Sequence, residues 1–571
     1  MEAKQIAPIR LALWLVCAFG LAFAFTYWPA NSLHGTDWLN VVEDDSFYYF
    51  VLARNLAGHG LSTFDGMTLT NGYQPLWQLV LMVQAAIWRD SFSATVLVES
   101  AALVGAAFLV FRTIDVDAFW YLPLLSVVLV VLVGYPLVLT GMETSLLFFT
   151  FAAFVLALKQ AERPNAGWHG LAITAGLVIG ARLDAAFFVV AALLIVPRRT
   201  QGLRALAFVA VVGLIYMTAN KIVFDSWVPI SGTVKSLGGL GLNHAMFRQL
   251  AELVESGESL PKTIVEFFRA LPERALLLAG LTPALMLMAP GRNSFARRVA
   301  LAMVLGFLPY VLRLVFFSSW GLWVWYGFPV FFLLVADFLL IVDVLQAPSG
   351  RRRDRLAVGV VIGVLLGAGV LFTWRVTAIF IVLYGLIEGL TGATRHPARV
   401  RQVSMAVLGM TFLLGSLHAT TQLEPRLTTS FGATGGMLAT RIHDTIGDVK
   451  VAMGDRAGGF AYFYAGSVTQ LEGLMNDVPY LERVKAHQPI DRILCDRGVR
   501  YLVSWEKDLG NYTTYLYPAF RPHLTTFEGP TINVSKADEV ARFSDVRDGH
   551  SAAQIQEYAY LWRLPSCGGR R

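Results

Sequence analysis

The stretch EDDSFYYFVLARNLAGHG, residues 43–60, sets three consecutive carboxylates, Glu43, Asp44 and Asp45, just after the first apolar run of a chain otherwise built for lipid. Of the 571 residues, 56% are hydrophobic and only 15% are charged, against about 25% charged in an ordinary globular domain. Mean hydropathy is +0.56. Apolar runs recur from residue 10 to residue 418, many near the ~20 residues that cross a hydrocarbon core, and none alternates with the period of a membrane barrel. The composition therefore predicts a polytopic α-helical membrane protein with about 11–13 spans over residues 1–418. Beyond residue 418 no comparable run occurs, and residues 419–571 read as a soluble domain large enough to bury its own core.

The net charge of +6 and isoelectric point near 9.1 do not indicate a nucleic-acid partner. The basic residues sit in short clusters between apolar runs, PRRTQGLR, GRNSFARR, SGRRRDR and TRHPARVR, as the positive-inside rule requires of cytoplasmic loops. Fixing those clusters inside gives the register of the spans. The first helix, 10–29, reads as an uncleaved anchor that leaves 30–75 outside as a polar loop. The run 75–88 is short, about 21 Å long as a helix, and is expected to lie in the interface or dip in without crossing. Spans at 92–111 and 119–140 then bring GMETSL, and Glu143, to the outer face. Two short apolar runs around GARLDAAF rise to that face and return, carrying Arg182 and Asp184 to it. A span at 204–223 leads to an external loop, 225–273, and further spans follow at 274–289, 298–317, 327–345, either side of Trp374-Arg375, and 403–418. Acidic and basic residues from separated segments thus gather at one surface. Charges within membrane segments are costly and mark sites or pathways.

Several of these residues suggest chemistry. On a helix starting near Asp44, positions 44, 48, 51, 52 and 55 share one face, so Asp44 stands above Tyr48 and Asn55. A helix start favours ionised carboxylates, and an ionised carboxylate is what a general base requires. The alternative is an ordinary solvated N-terminal cap. The continuation, with His59 near its GHG turn and Asn71, Tyr73 and Gln74 ahead of a proline, suits a polar, ring-shaped ligand; His59 reads equally as a turn histidine. Glu143 can bind an acceptor hydroxyl or a metal, or simply cap a span. Trp325 and Tyr326 can stack on a sugar or a polyprenyl chain, or belong to an interfacial aromatic belt. No His/Asp/Glu spacing dictates a metal site, so no cofactor is assigned and dependence on a divalent cation is left open. There is no Walker loop, HExxH pair, GxSxG elbow or CxxC zinc spacing, and no internal repeat of the transporter kind. Cys495 and Cys567 can pair if the tail is extracytoplasmic, and free thiols are the alternative.

Taken together, EDDSFYYFVLARNLAGHG, TFDG, TNGYQPLW, GMETSL, ARLDA, VPISGTVKS and WVWYGFP resemble the GT-C superfamily of integral membrane glycosyltransferases, nearest the arabinofuranosyltransferase-like enzymes of bacterial envelopes. MGDRAGGFAYFYAGSVTQLEGLMND, residues 453–477, looks like the start of that family's extracytoplasmic domain, which implies a mixed α/β fold for 419–571. The resemblance implies a multi-pass enzyme of the bacterial cytoplasmic membrane whose active site faces outward. It would take a sugar, arabinofuranose as the best guess, from a polyprenyl-phosphate donor to a glycan, lipid or protein hydroxyl, with inversion. The family's first loop acid maps onto Asp44 as base and the second onto Asp45, with Glu43 beside them. The leaving phosphate needs cations, from Arg182, Lys235, Arg313 or Arg375, of which Arg182 and Lys235 are favoured; Arg182 can alternatively form a buried pair with Asp184, and Lys235 can be a solvated loop lysine. Asp455, Arg456 and Glu472 can dock the tail onto the membrane part. Competing readings are a transporter or flippase of a lipid-linked sugar, a transferase of another carrier-linked glycan to protein, and an inactive scaffold displaying the tail.

Overall fold

The computed structural model describes residues 42–88, 91–113, 141–246, 279–283, 285–287, 294–321, 323–346, 431–505, 515–518, 527, 529–544 and 558–564. The expected spans at 10–29, 119–140, beside Trp374-Arg375 and at 403–418, and the loop beyond 246, lie outside the described residues. Helix α1 spans Asp44–His59, α2 Pro75–Ile87, α3 Ser91–Thr113, α4 Thr144–Ala161, α5 His169–Ala181, α6 Ala186–Ile195, α7 Arg199–Phe224, α8 Ile230–Val234, α9 Phe295–Phe316 and α10 Pro329–Gln346. Among the described residues three helices are long and apolar enough to cross a membrane: α4 with 18 residues, α7 with 26 and α9 with 22. At 1.5 Å per residue α4 and α9 are about 27 and 33 Å long, which matches a hydrocarbon core of about 30 Å.

Small residues let these helices approach. A Cβ added at Gly306 of α9 would lie 2.6 Å from the Cα of Phe188 in α6, so the two backbones touch there. Phe151 of α4 stacks on Phe332 of α10 with centroids 3.7 Å apart, and Phe148 stacks on Phe331 at 3.8 Å. Outside this core, α7 leaves Val211, Leu214, Ile215 and Ile222 exposed, the surface expected of a helix facing lipid. Helices α5 and α6 form a hairpin broken at Arg182, whose extended backbone (φ −154°, ψ 116°) ends α5 before a short 3₁₀ turn, Leu183–Ala185.

The two ends of the bundle differ in charge. At one end Arg298 pairs with Glu162, Arg198 donates to the Pro164 carbonyl (3.1 Å) and Gln201 to that of Ala166 (2.7 Å). The clusters PRRTQGLR and GRNSFARR therefore meet at the end of α4 opposite Glu143. At the other end stand Glu143, Arg182, Arg313 and Tyr326. Helix α1 is no simple loop element: Ser46 to Ala53 are all buried, and Gly60, at φ 70°, closes the helix by donating to the Leu56 carbonyl.

The C-terminal part contains α11 (Phe431–Ile446), α12 (Ala457–Phe463), α13 (Val478–Lys485) and α14 (Ile490–Asp496). Its strands are β1 (Val451–Met453), β2 (Val468–Gln470), β3 (Tyr501–Trp505), β4 (Tyr515–Pro518), β5 (Thr531–Val534), β6 (Glu539–Phe543) and β7 (Ala559–Arg563). Five of them form a mixed sheet in the order β2-β1-β3-β7-β6, with β1 parallel to β2 and β3 and with β7 antiparallel to β3 and β6; β4 and β5 form a separate ladder. The expected mixed α/β domain is thus present. Its core is continuous with one face of α1: Tyr48, Val51 and Leu52 pack in the same cluster as Phe460, Tyr464 and Trp562. Cys495 is disulfide-bonded, and its partner lies outside the described residues.

Candidate active site

Glu43, Asp44 and Asp45 open α1, with Glu43 as the capping residue and the two aspartates in the first turn. All three are partly buried. The Asp44 carboxylate is engaged by the C-terminal domain: its Oδ1 accepts from the Gly459 N–H at 2.7 Å and its Oδ2 from the Gly458 N–H at 3.0 Å. Asp45 differs. Among the described residues no hydrogen bond or ion pair is made to its carboxylate, which faces the charges of Lys235, Glu43, Asp455 and Glu143.

The expectation that the helix start keeps these acids readily ionised is reversed. Burial pushes the Asp45 carboxyl up to about 7, with Lys235 pulling down and Glu43, Asp455 and Glu143 adding to the rise. Burial likewise raises Asp44 to about 7, against the two glycine N–H groups, and raises Glu43 to about 7 with help from Asp44. Desolvation and crowding of like charges outweigh the helix dipole here.

Opposite the acids, Lys235 ends α8, and its carbonyl is fixed by the Ser319 N–H at 2.8 Å. Its ammonium lies 5.6 Å from the centroid of the Tyr326 ring. Behind it is Arg182, which pairs with Glu143, lies 3.9 Å from Asp184, and has its guanidinium 4.8 Å from the Phe328 ring centroid and 6.0 Å from that of Tyr326. Arg313 takes the other oxygen of Asp184 at 2.9 Å, and Tyr49 donates to Glu143 at 3.2 Å. The anticipated Arg182–Asp184 pair is therefore secondary to Arg182–Glu143. The Arg182 Nε–H has no partner among the described residues. The turn carrying Glu143 is set by Gly141 at φ 87°, whose N–H donates to the buried Glu99 (3.1 Å) and whose carbonyl accepts from the Trp77 indole (3.0 Å).

No family model matches the sequence, and no curated protein does. Among solved structures the chain is similar to ArnT from Cupriavidus metallidurans in the apo state, at 14% identity and a TM-score of 0.51 over 98% of this chain and 100% of that one. The same protein bound to undecaprenyl phosphate aligns at 14% identity and a TM-score of 0.49, over 98% and 99%. The oligosaccharyltransferase of Archaeoglobus fulgidus in the apo form aligns at 11% and 0.47, over 92% and 76%. ArnT is a GT-C glycosyltransferase. The chain has the GT-C fold.

Within the GT-C fold, Asp45, Lys235, Tyr326, Arg182, Asp184 and Glu143 are brought together, and Trp325 stacks on Trp323 with centroids 5.4 Å apart. Other anticipated binding residues serve the scaffold. Tyr48 is buried against Phe64 (5.3 Å between rings), and Gln74 accepts the Leu183 N–H at 3.1 Å. His59 is exposed at the far end of α1, about 22 Å along the helix axis from Asp44. Glu143 is occupied by Arg182 and Tyr49 rather than open to an acceptor. Arg375 lies outside the described residues. Among those residues no three His, Cys, Asp or Glu side chains converge as a metal-binding group. Sequence reasoning missed Gly458 and Gly459 as partners of Asp44, although the doubled glycine in MGDRAGG was the available signal for a close backbone approach.

Asn71 is a buried brace: it donates to Asn220 at 3.0 Å and accepts the Ile230 N–H at 2.9 Å, tying the first loop to α7 and α8. Asn71→Ala strands both partners and is expected to cost roughly 2–4 kcal/mol. Thermal unfolding of the purified protein measures it, and an unchanged melting temperature would refute the brace.

Proposed function

We propose that the chain is a glycosyltransferase that moves a sugar from a polyprenyl-phosphate donor to a hydroxyl of an envelope glycan, lipid or protein acceptor on the outer face of a bacterial cytoplasmic membrane. The observation that carries this reading is the Asp45 carboxylate, raised to about 7 and without a hydrogen-bond or ion-pair partner among the described residues, standing opposite Lys235, whose ammonium lies by the Tyr326 ring. In the proposed step the acceptor oxygen bonds to the anomeric carbon as the bond from that carbon to the phosphate oxygen breaks. The hydroxyl proton passes to Asp45, and polyprenyl phosphate departs with the bonding electrons. Lys235 and the Arg182 Nε–H, which has no partner among the described residues, supply positive character for that phosphate, and attack opposite the leaving group inverts the centre. Asp45, rather than Asp44, takes the base role because both Asp44 oxygens already accept N–H bonds. Arabinofuranose remains the favoured sugar on the resemblance of the sequence motifs.

Three further observations support the reading. ArnT, whose fold the chain shares, has been crystallised with undecaprenyl phosphate. Two basic clusters lie at the end of the bundle opposite the acids, as they would with those clusters in the cytoplasm. A disulfide at Cys495 suits an oxidising compartment.

The test is transfer from polyprenyl-phosphate-linked arabinofuranose to an envelope glycan extract by the protein in nanodiscs, followed by mass spectrometry. Donor binding without transfer to any acceptor would favour the flippase reading instead. Where transfer occurs, kcat/KM is expected to rise with pH through about 7, because the base must be deprotonated. An acid limb near 4, the ordinary carboxylate value, would assign the base elsewhere.

A further inference from the structure

In the C-terminal sheet β1 lies between β2 and β3 and is parallel to both. Here the residues after β1 pass through Arg456, a non-glycine residue at φ 60°, into α12. Arg456 gives α12 no side-chain cap. The missing acceptor comes from the opposite end of the chain: Asp44 receives the N–H groups of Gly458 and Gly459, 414 and 415 positions away. The fit requires glycine. A Cβ at Gly458 would lie 2.2 Å from the Asp44 carbonyl oxygen and 3.0 Å from its Oδ2. The surroundings reinforce the junction, with Arg54 donating to the Tyr462 carbonyl (3.1 Å), Ser467 to that of Asp65 (2.7 Å), and Phe47 packing on Tyr462 (5.4 Å).

We propose that the C-terminal domain is a positioning element for the acid pair: Asp44 caps α12 in trans, and that cap holds Asp45 opposite Lys235. Asp44 and Asp45 are consecutive residues in the first turn of α1, so anchoring one carboxylate fixes the start of the helix and with it the direction of the next side chain. The catalytic consequence rests on the transferase reading. The cap and the placement of Asp45 do not, and they are testable without a donor.

Two variants in nanodiscs serve the test: Asp44→Asn, which keeps the shape but loses one acceptor, and Gly458→Ala, which keeps the charge but forces the backbones apart. Hydrogen exchange is followed above pH 8, where the Asp44 carboxyl is ionised. Amides 458 and 459 are expected to exchange at least tenfold faster in both variants, while β1 and β3 keep wild-type protection. In parallel, carbodiimide labelling of Asp45 is followed against pH; its midpoint is expected to fall from about 7 toward the ordinary carboxylate range as the side chain leaves its buried position. Wild-type exchange at 458–459 in Gly458→Ala would overturn the cap, and an unmoved Asp45 midpoint in both variants would overturn the positioning. If Asp44→Asn loses protection throughout the sheet, Gly458→Ala decides. Absence of transfer by the wild type would count against the transferase reading alone.

Discussion

Asp45→Asn is expected to lower kcat for sugar transfer by about 10³-fold, equivalent to about 4 kcal/mol of transition-state stabilisation. The size follows from the proton inventory of the step: an alcohol must lose its proton as it attacks, and Asp45 is the carboxylate at the site that no described donor occupies. The variant should nevertheless fold as well as the wild type. A carboxyl raised to about 7 in the folded state binds a proton more tightly there than in the unfolded chain. Stability is therefore lost as pH rises from about 4 to about 7, and at pH 8 the ionised Asp45 is a burden that Asn removes. A variant that is inactive and no less stable at pH 8 supports this role. Retained transfer, or a lowered melting temperature, would refute it. Asp44→Asn differs in also forfeiting one of the two oxygens that accept the Gly458 and Gly459 N–H groups, so its loss of transfer should come with faster exchange of those amides.

The second large effect is on stability. Arg182 and Glu143 have side chains only 5% and 2% exposed, and Arg182 also lies 3.9 Å from Asp184. Arg182→Met would leave Glu143 buried without its counter-charge, and such losses cost about 3–5 kcal/mol. Replacing both partners, as in Arg182→Met with Glu143→Met, removes the stranded charge, and most of the loss should be recovered. Thermal unfolding of the two single variants and the double variant measures the coupling. A double variant as unstable as Arg182→Met would show that the pair is not the source. If the double variant folds well yet transfers poorly with unchanged acceptor KM, Arg182 also acts on the leaving phosphate.

Much of this architecture was legible in the chain because its signals are periodic or compositional. Apolar runs gave α7 and α9, GARLDAAF gave the hairpin broken at Arg182, and the basic clusters gave the common end of the bundle, whereas α4 was not among the spans read from the sequence. The acid run announced the helix start at Asp44. The ionisation of those acids was not legible, since it depends on Asp455 and on burial by a domain hundreds of residues away. Asn71 and Gln74 looked like ligand-binding polar groups because a sequence does not reveal whether an amide meets a ligand or a backbone N–H; here they meet Ile230 and Leu183. Glu143 stands with Arg182 and Asp184, and its occupancy by Arg182 and Tyr49 is a matter of side-chain direction.

The trans cap also orders events during biosynthesis. Asp44 leaves the ribosome some 414 residues before the amide that receives it, and at about 5–20 residues per second the interval is roughly 20–80 s. Throughout that time α1 carries its acids without their partner, and the face bearing Tyr48, Val51 and Leu52 lacks the core it will join. The helices can insert in order, but the acid pair matures only when the last domain arrives. A ribosome-stalled chain ending before residue 457 should therefore be membrane-inserted and catalytically silent.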